Sequence, residues 1–300
     1  MSRPPRISAL VEQALAARTT GELNVFAEIA RTGNTRFANN GVTTTGDTHK
    51  ISLAVTSQQG RRSATVSGTA SGRAEVVDLV QQAESMAAIA PENPEQLPLL
   101  GKQRYARVRG RDSATAKMDA EGRAALLRPA IERAREAGQV GAGFVAHEDV
   151  ELMLANSNGL IAKHRKTRAS VSLTSRTNDG TGSSYGAATS HAYPPIDTTA
   201  LAAKVAQRAA LSQAPHRVEA ARRTVVLEPL AVAELLSFFV GSMDRRRAEE
   251  GRSYFAGAEG KSRVGERLFA PSITLRSSPG DRAHPGMPFD WEGSPRSDRV

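Results

Sequence analysis

The sequence predicts an α+β protein: an N-terminal antiparallel sheet packed with helices, followed by an incomplete, mostly β C-terminal domain with a leading helix. Three observations carry this. Short runs of alternating apolar and polar residues fall in two blocks punctuated by Asn-Gly and related turn signals. Stretches of helical period lie around and between the blocks. From Glu249 onward the chain turns rich in Gly, Ser, Pro and Arg, too little to close a core of its own.

Each element has its own signal. Ile7, Leu10, Val11, Ala14 and Leu15 fall at helical spacing, so Ile7 to Arg18 predicts a first amphipathic helix. Asn24 to Ile29 and Asn34 to Ala38 alternate like strands, and Asn39-Asn40-Gly41 supplies the chemistry of a tight hairpin into a partner strand beginning at Val42. Ile51 to Thr56 and Arg62 to Ser67, separated by Gln58-Gln59-Gly60, extend the meander. A helix follows over Arg73 to Ala90, and Pro91 to Pro98 form a surface loop. Asp119 to Ala137 is again helical and stops at Gly138, a residue suited to ending a helix. Gly143 to His147, Val150 to Asn156, Leu160 to His164, Ala169 to Thr177 and Ser183 to Ser190 form the second strand block, broken at Asn158-Gly159 and Asn178-Asp179-Gly180. Thr198 to Gln213 is a helix that runs into Ala214-Pro215-His216, where the domain boundary is placed. The domains are thus 1–214 and 222–300. In the second, Thr224 to Leu227 and Ser272 to Leu275 read as strands. Pro229 opens a helix to about Ser242, because at the first helical position its missing amide costs nothing.

Composition excludes several classes. Without cysteine there are no disulfides, thiolate metal sites or cysteine nucleophiles. The longest apolar stretch, Val225 to Val240, is interrupted by Glu228, Pro229, Glu234 and Ser237, so no membrane span is expected. The segment from Met1 lacks the apolar core of a signal peptide, and the expected location is the cytoplasm. The formal charge is +9, from 40 basic and 31 acidic residues. Two clusters remain basic: Arg104 to Arg111, with Arg107, Arg109 and Arg111, and Lys163 to Arg168, with Lys163, Arg165, Lys166 and Arg168. Both read as alternating strands with one charged face. Arginine is spread through the chain beside alanine and aromatics are only 4%, which weighs against a nucleic-acid surface.

Local chemistry is sparse. The six histidines are never closer than the 17 positions between His147 and His164, which rules out a helical histidine pair for zinc. His147 with Glu148 or Asp149 is a weak discontinuous alternative, since the triplet reads as a strand break. Gly182-Ser183-Ser184-Tyr185-Gly186 has the nucleophile-elbow spacing but is not followed by a helix, so Ser184 reads as a strand hydroxyl. No phosphate-binding glycine loop occurs.

Several stretches together resemble the TldD/PmbA family: Thr35-Arg36-Phe37-Ala38-Asn39-Asn40-Gly41-Val42-Thr43, Arg61-Arg62-Ser63-Ala64 before a helix, Asn156-Ser157-Asn158-Gly159-Leu160, the Ser183 to Ala187 strand, and Phe289-Asp290-Trp291-Glu292-Gly293-Ser294-Pro295. In TldD-type members the helix opening the C-terminal domain carries H-E-x-x-x-H, which holds the catalytic metal. Aligned on its Ala-Val pair, this chain has Pro229 and Glu234 at the histidine positions and Leu230 at the glutamate. That departure resembles the PmbA/TldE branch, the non-catalytic half of a heterodimer. The resemblance therefore implies no metal in this chain, zinc in a TldD-like metalloprotease partner, and unfolded or modified peptides as substrate. Members usually continue past the Phe289 to Pro295 motif, so a truncated or reduced C-terminal domain is expected. The apolar Leu230 to Ser242 helix, left short of cover, predicts association with such a partner or with itself. The rival readings are a basic regulator acting on DNA gyrase or nucleic acid through the two clusters and, last, serine hydrolysis at Ser184.

Overall fold

The computed structural model describes residues 6–258 and 261–299; Met1 to Pro5, where the N-terminal reading begins, and Val300 lie outside them. The first compact unit takes in the chain to Gln213 together with Ser277–Arg299. It is built on a six-stranded antiparallel sheet in the order β3-β2-β1-β4-β5-β6. The strands are β1 (Glu22–Ala38), β2 (Gly41–Gln59), β3 (Arg62–Thr69), β4 (Gln139–Asn156), β5 (Ile161–Thr177) and β6 (Ser183–Ser190). The helices are α1 (Ile7–Ala17), α2 (Arg73–Ile89), α3 (Ala120–Glu136) and α4 (Thr198–Leu211).

The order is one motif used twice, helix, three-stranded meander, helix: α1-β1-β2-β3-α2 and then α3-β4-β5-β6-α4. The halves join along β1 and β4, paired antiparallel from Asn24↔Asn156 to Phe37↔Gly143, which relates them by an approximate two-fold axis. Side chains alternate across each strand, so Leu23, Val25 and Phe37 share a face with Val55, Val145 and Val171. All four helices lie on that face. α1 and α2 cover one end, with Leu10, Val76 and Val80 against Val25, Leu53 and Val55. α3 and α4 cover the other, with Leu127 and Val205 against Phe37, Val145 and Val171. On the opposite face Phe289, fully buried, packs with Leu154, Leu160 and Ala162.

Turn and cap chemistry accounts for the joints. Asn39 and Asn40 both take positive φ, +50° and +57°, the paired left-handed conformation of a two-residue hairpin. Asn40 also ties the turn to β4, accepting from the Gly141 amide at 2.6 Å and donating to the Gln139 carbonyl at 2.8 Å. Asp119 caps α3 by accepting from the Gly122 amide, and Gly138 with φ +62° ends that helix's turn. At the β4–β5 turn the Asn156 carboxamide oxygen accepts from the Asn158 and Leu160 amides, and Gly159 takes φ +84°.

Three expectations are corrected. The pairs of short strands expected around Ala30 to Gly33, Glu148-Asp149 and Arg165 to Arg168 are single long strands, because pairing on both sides carries the ladder through their polar residues. Arg104 to Arg111 is not a strand; it runs past the outer edge of β5 and touches it through an isolated bridge, Gly110↔Lys166. Thr224 to Leu227 and Ser272 to Leu275 are not strands either, since a strand needs a hydrogen-bonded neighbour and neither stretch has one. The second unit, residues 214–276, instead contains α5 (Pro229–Gly241) and the short α6 (Arg245–Glu249). Residues 277–299, grouped with that stretch in the sequence reading, pack in the first unit through Phe289.

Candidate functional site

α5 holds the positions aligned with the family metal motif. Pro229 takes its first turn, as proline can, and Leu230 and Glu234 are exposed. None of the helix's residues is buried, with Phe238 72% exposed. Leu236 and Phe239 are half-buried, and Phe239 lies edge-on to Phe255 and Phe269 at 4.9 and 4.8 Å between ring centres. Two aliphatic side chains and one carboxylate do not fit zinc, which requires three protein ligands of imidazole, carboxylate or thiolate type. Among the described residues no group of three or more His, Asp or Glu comes close enough together to hold a metal ion.

The densest polar chemistry lies at the middle of the helix-facing side of the sheet. Arg123 of α3, fully buried, reaches through to β2 and forms a two-pronged ion pair with Asp47 at 2.8 and 3.0 Å. Its remaining donors go to the hydroxyls of Thr35 and Thr45, both at 3.1 Å, and one nitrogen lies 3.5 Å from His147 Nδ1. The hydrogen bond from Arg123 holds the Asp47 carboxyl below the usual carboxylate range despite some burial. Burial, followed by the Arg123 charge, lowers the His147 pKa and keeps that imidazole neutral. Gly33 makes the arrangement fit: a Cβ there would fall 2.1 Å from Arg123 Nη1 and 2.4 Å from both Asp47 and His147. No sequence signal marks this cluster, because Arg123 sits in an Arg/Ala-rich helix and Asp47 in a run of threonines.

The His147-Glu148-Asp149 triplet is therefore divided. His147 faces Arg123; Asp149 accepts a bidentate pair from Arg111 at 2.7 and 2.9 Å; Glu148, on the other face, lies 3.3 Å from Arg168. The seven basic residues divide likewise. Lys163 and Arg165 point to the helix side of β5, Lys166 and Arg168 to the opposite side, and Arg111 is spent on Asp149. Arg107 and Arg109 border a separate depression with His191 and Arg282. Ser184 lies within β6, opposite Ser175. His164 is buried with Nε2 lacking a partner among the described residues, and burial, then the nearby Lys166 charge, lowers its pKa.

The family-like stretches prove to be joints of the fold. Phe289 fills the second core, Trp291 meets Phe26 edge-on at 4.9 Å, and Tyr105 donates to the Gly293 carbonyl at 2.7 Å. A Cβ at Gly293 would come within 2.6 Å of Leu160, so that tight turn requires glycine.

Two helix-meander-helix units thus share one sheet, and the helix that follows them in the chain lacks a metal-binding set. Residues 113–213 match the PmbA/TldA metallopeptidase central domain and residues 220–300 the PmbA/TldA metallopeptidase C-terminal domain, together more than half of the chain. The chain belongs to the TldD/PmbA family. Its central-domain match coincides with the second repeat. Solved structures agree on the fold. A candidate modulator of a DNA gyrase from Thermotoga maritima superposes with a TM-score of 0.84 at 15% identity, over 98% of this chain and 68% of its own. TldE from Thermococcus kodakarensis gives 0.80 at 18%, over 98% and 66%. A candidate modulator of DNA gyrase from Bacteroides thetaiotaomicron gives 0.79 at 15%, over 98% and 68%. The chain thus spans about two thirds of each relative's length. No curated protein sequence matches.

Proposed function

We propose that this chain is a non-catalytic subunit of the TldE/PmbA type, which completes a peptide-binding chamber for a TldD-like zinc metallopeptidase acting on unfolded or modified peptides. The observation that carries the reading is the donor set of α5. With Pro229, Leu230 and Glu234 where the family places two histidines and a glutamate, the helix keeps one carboxylate of the ligand set and has an aliphatic side chain where the family has its base. The exposed apolar side chains of α5, Leu235 and Phe238 foremost, support an associating role, because so apolar a helix is ordinarily covered. Among the described residues no helix is long and apolar enough to cross a membrane; the cytoplasm is the proposed location.

The test is reconstitution. The purified chain alone is expected to carry no stoichiometric zinc by elemental analysis and to cleave no peptide. Mixed with a TldD-type partner it should form a hetero-oligomer by light scattering, with peptide cleavage appearing. Glu234→Gln should leave that cleavage unchanged. One zinc per isolated chain, or a monodisperse monomer that neither binds nor activates the partner, overturns the proposal.

A further inference from the structure

The helix-facing side of the sheet is apolar at both ends and polar in the middle, where the two helix pairs leave a gap. There the strand register sets His49, Arg31 and Asp149 side by side across β2, β1 and β4. One step along, Ile29, Glu151 and Arg165 form the next row across β1, β4 and β5. Lys163 and the first turn of α1 close the remaining sides of a cleft of about 350 Å³.

The charges in this cleft do not balance. Asp149 is already neutralised by the two-pronged pair with Arg111, which lies outside the lining. Glu151 has Arg165 at 4.0 Å. The side chains of Arg31 and Lys163 have no ion-pair or hydrogen-bond partner among the described residues, and Arg6 stands at the mouth. Cations gathered around a concave site focus a positive potential better than the same cations on a flat surface. The start of α1, which has no side-chain cap, adds the positive end of a helix dipole to the same space. No Phe, Tyr or Trp lines the cleft, and His49 supplies its single ring, so the lining offers charge rather than a stacking platform.

The geometry points to a binding site for a compact polyanion, a small phosphorylated or polycarboxylate molecule with at least two negative charges, held by Arg31, Lys163 and Arg165. Arg31 and Arg165 supply planar, forked donors suited to oxyanions, and Lys163, one row along β5 from Arg165, supplies a point charge. The site shares no residue with α5 and does not depend on the subunit role.

Calorimetric titration of the full chain with pyrophosphate, and separately with citrate, tests it at low salt. A saturable one-site isotherm is expected with at least one of them. A preference for pyrophosphate identifies a phosphoryl ligand, and a preference for citrate a carboxylate one. Arg31→Met and Lys163→Met should each weaken binding by roughly tenfold or more, as loss of a charge-assisted contact does. Glu151→Gln should leave binding equal or tighter, and Arg36→Met, on the opposite face, should change nothing. All four positions are at least partly exposed, and unchanged melting curves show that the variants fold. Absence of saturable binding by both anions, survival of binding in the Arg31→Met/Lys163→Met double variant, or equal loss in Arg36→Met overturns the assignment.

Discussion

Asp47 looks like an ordinary surface carboxylate, its side chain 63% exposed, yet among the described residues it is the anion that pairs with Arg123, whose side chain has no exposure at all. Replacing it with alanine leaves Arg123 charged and buried among two hydroxyls and a neutral imidazole. Breaking a fully buried ion pair by removing one partner costs about 3–5 kcal/mol. Water can enter on the open Asp47 side, which lowers the expected cost to roughly 1.5–3 kcal/mol. For a unit of this size that is a fall in Tm of roughly 3–12 °C. Thermal and urea unfolding followed by far-UV circular dichroism would measure it. The decisive comparison is a double-mutant cycle: in an Arg123→Met background the buried charge is gone, so Asp47→Ala should then cost no more than about 0.5 kcal/mol, the usual surface figure. The same small cost in both backgrounds would refute the reasoning, and so would an equally large cost in both.

Further outcomes follow from the same geometry. His147 and His164 have folded pKa values below 6.5, through burial first and then the charges of Arg123 and Lys166, so in acid the unfolded chain binds protons that the folded chain refuses. Their contribution to stability is complete above about pH 6.5 and lost as pH falls through the lowered values; His147→Gln should flatten that slope in unfolding curves taken between about pH 5 and 7.5. Phe289→Ala, emptying a fully buried position between Leu154 and Leu160, should cost about 3–5 kcal/mol by denaturant titration. Asn40→Ala removes two hydrogen bonds at a left-handed position, and should destabilise by roughly 1–3 kcal/mol, with Asn40→Gly recovering part of the loss.

Much of the fold was legible where local chemistry decides it. The Asn39-Asn40 turn, the stop at Gly138 and Pro229 at the head of α5 all act within a few residues, and all were expected; Asp119, read as the first helical residue, caps that helix instead. The continuity of β1, β4 and β5 was not, because Arg31, His147, Asp149 and Arg165 spoil the alternation locally, while long-range partners accommodate them. The duplication also escaped notice, since it survives in the order and pairing of elements rather than in recurring residues. The family resemblance rested on motifs that turn out to shape turns and fill the second core, which is why they identified the architecture and stayed silent on chemistry. Arg123 and Asp47 lie 76 positions apart and carry no pattern in common, so only the folded chain brings them together.

Phe289 enters a core whose other members, Leu154, Leu160 and Ala162, precede it by well over a hundred residues. A ribosome adding about 5–20 residues per second needs roughly 6–26 s to cover that distance. Throughout that interval the strip of Leu154, Leu160 and Ala162, flanked by Phe26, Leu100 and Tyr105, lacks its central side chain and stays partly open to water. Vectorial synthesis thus gives this protein a timed vulnerability, set by the place of a single aromatic residue in the message.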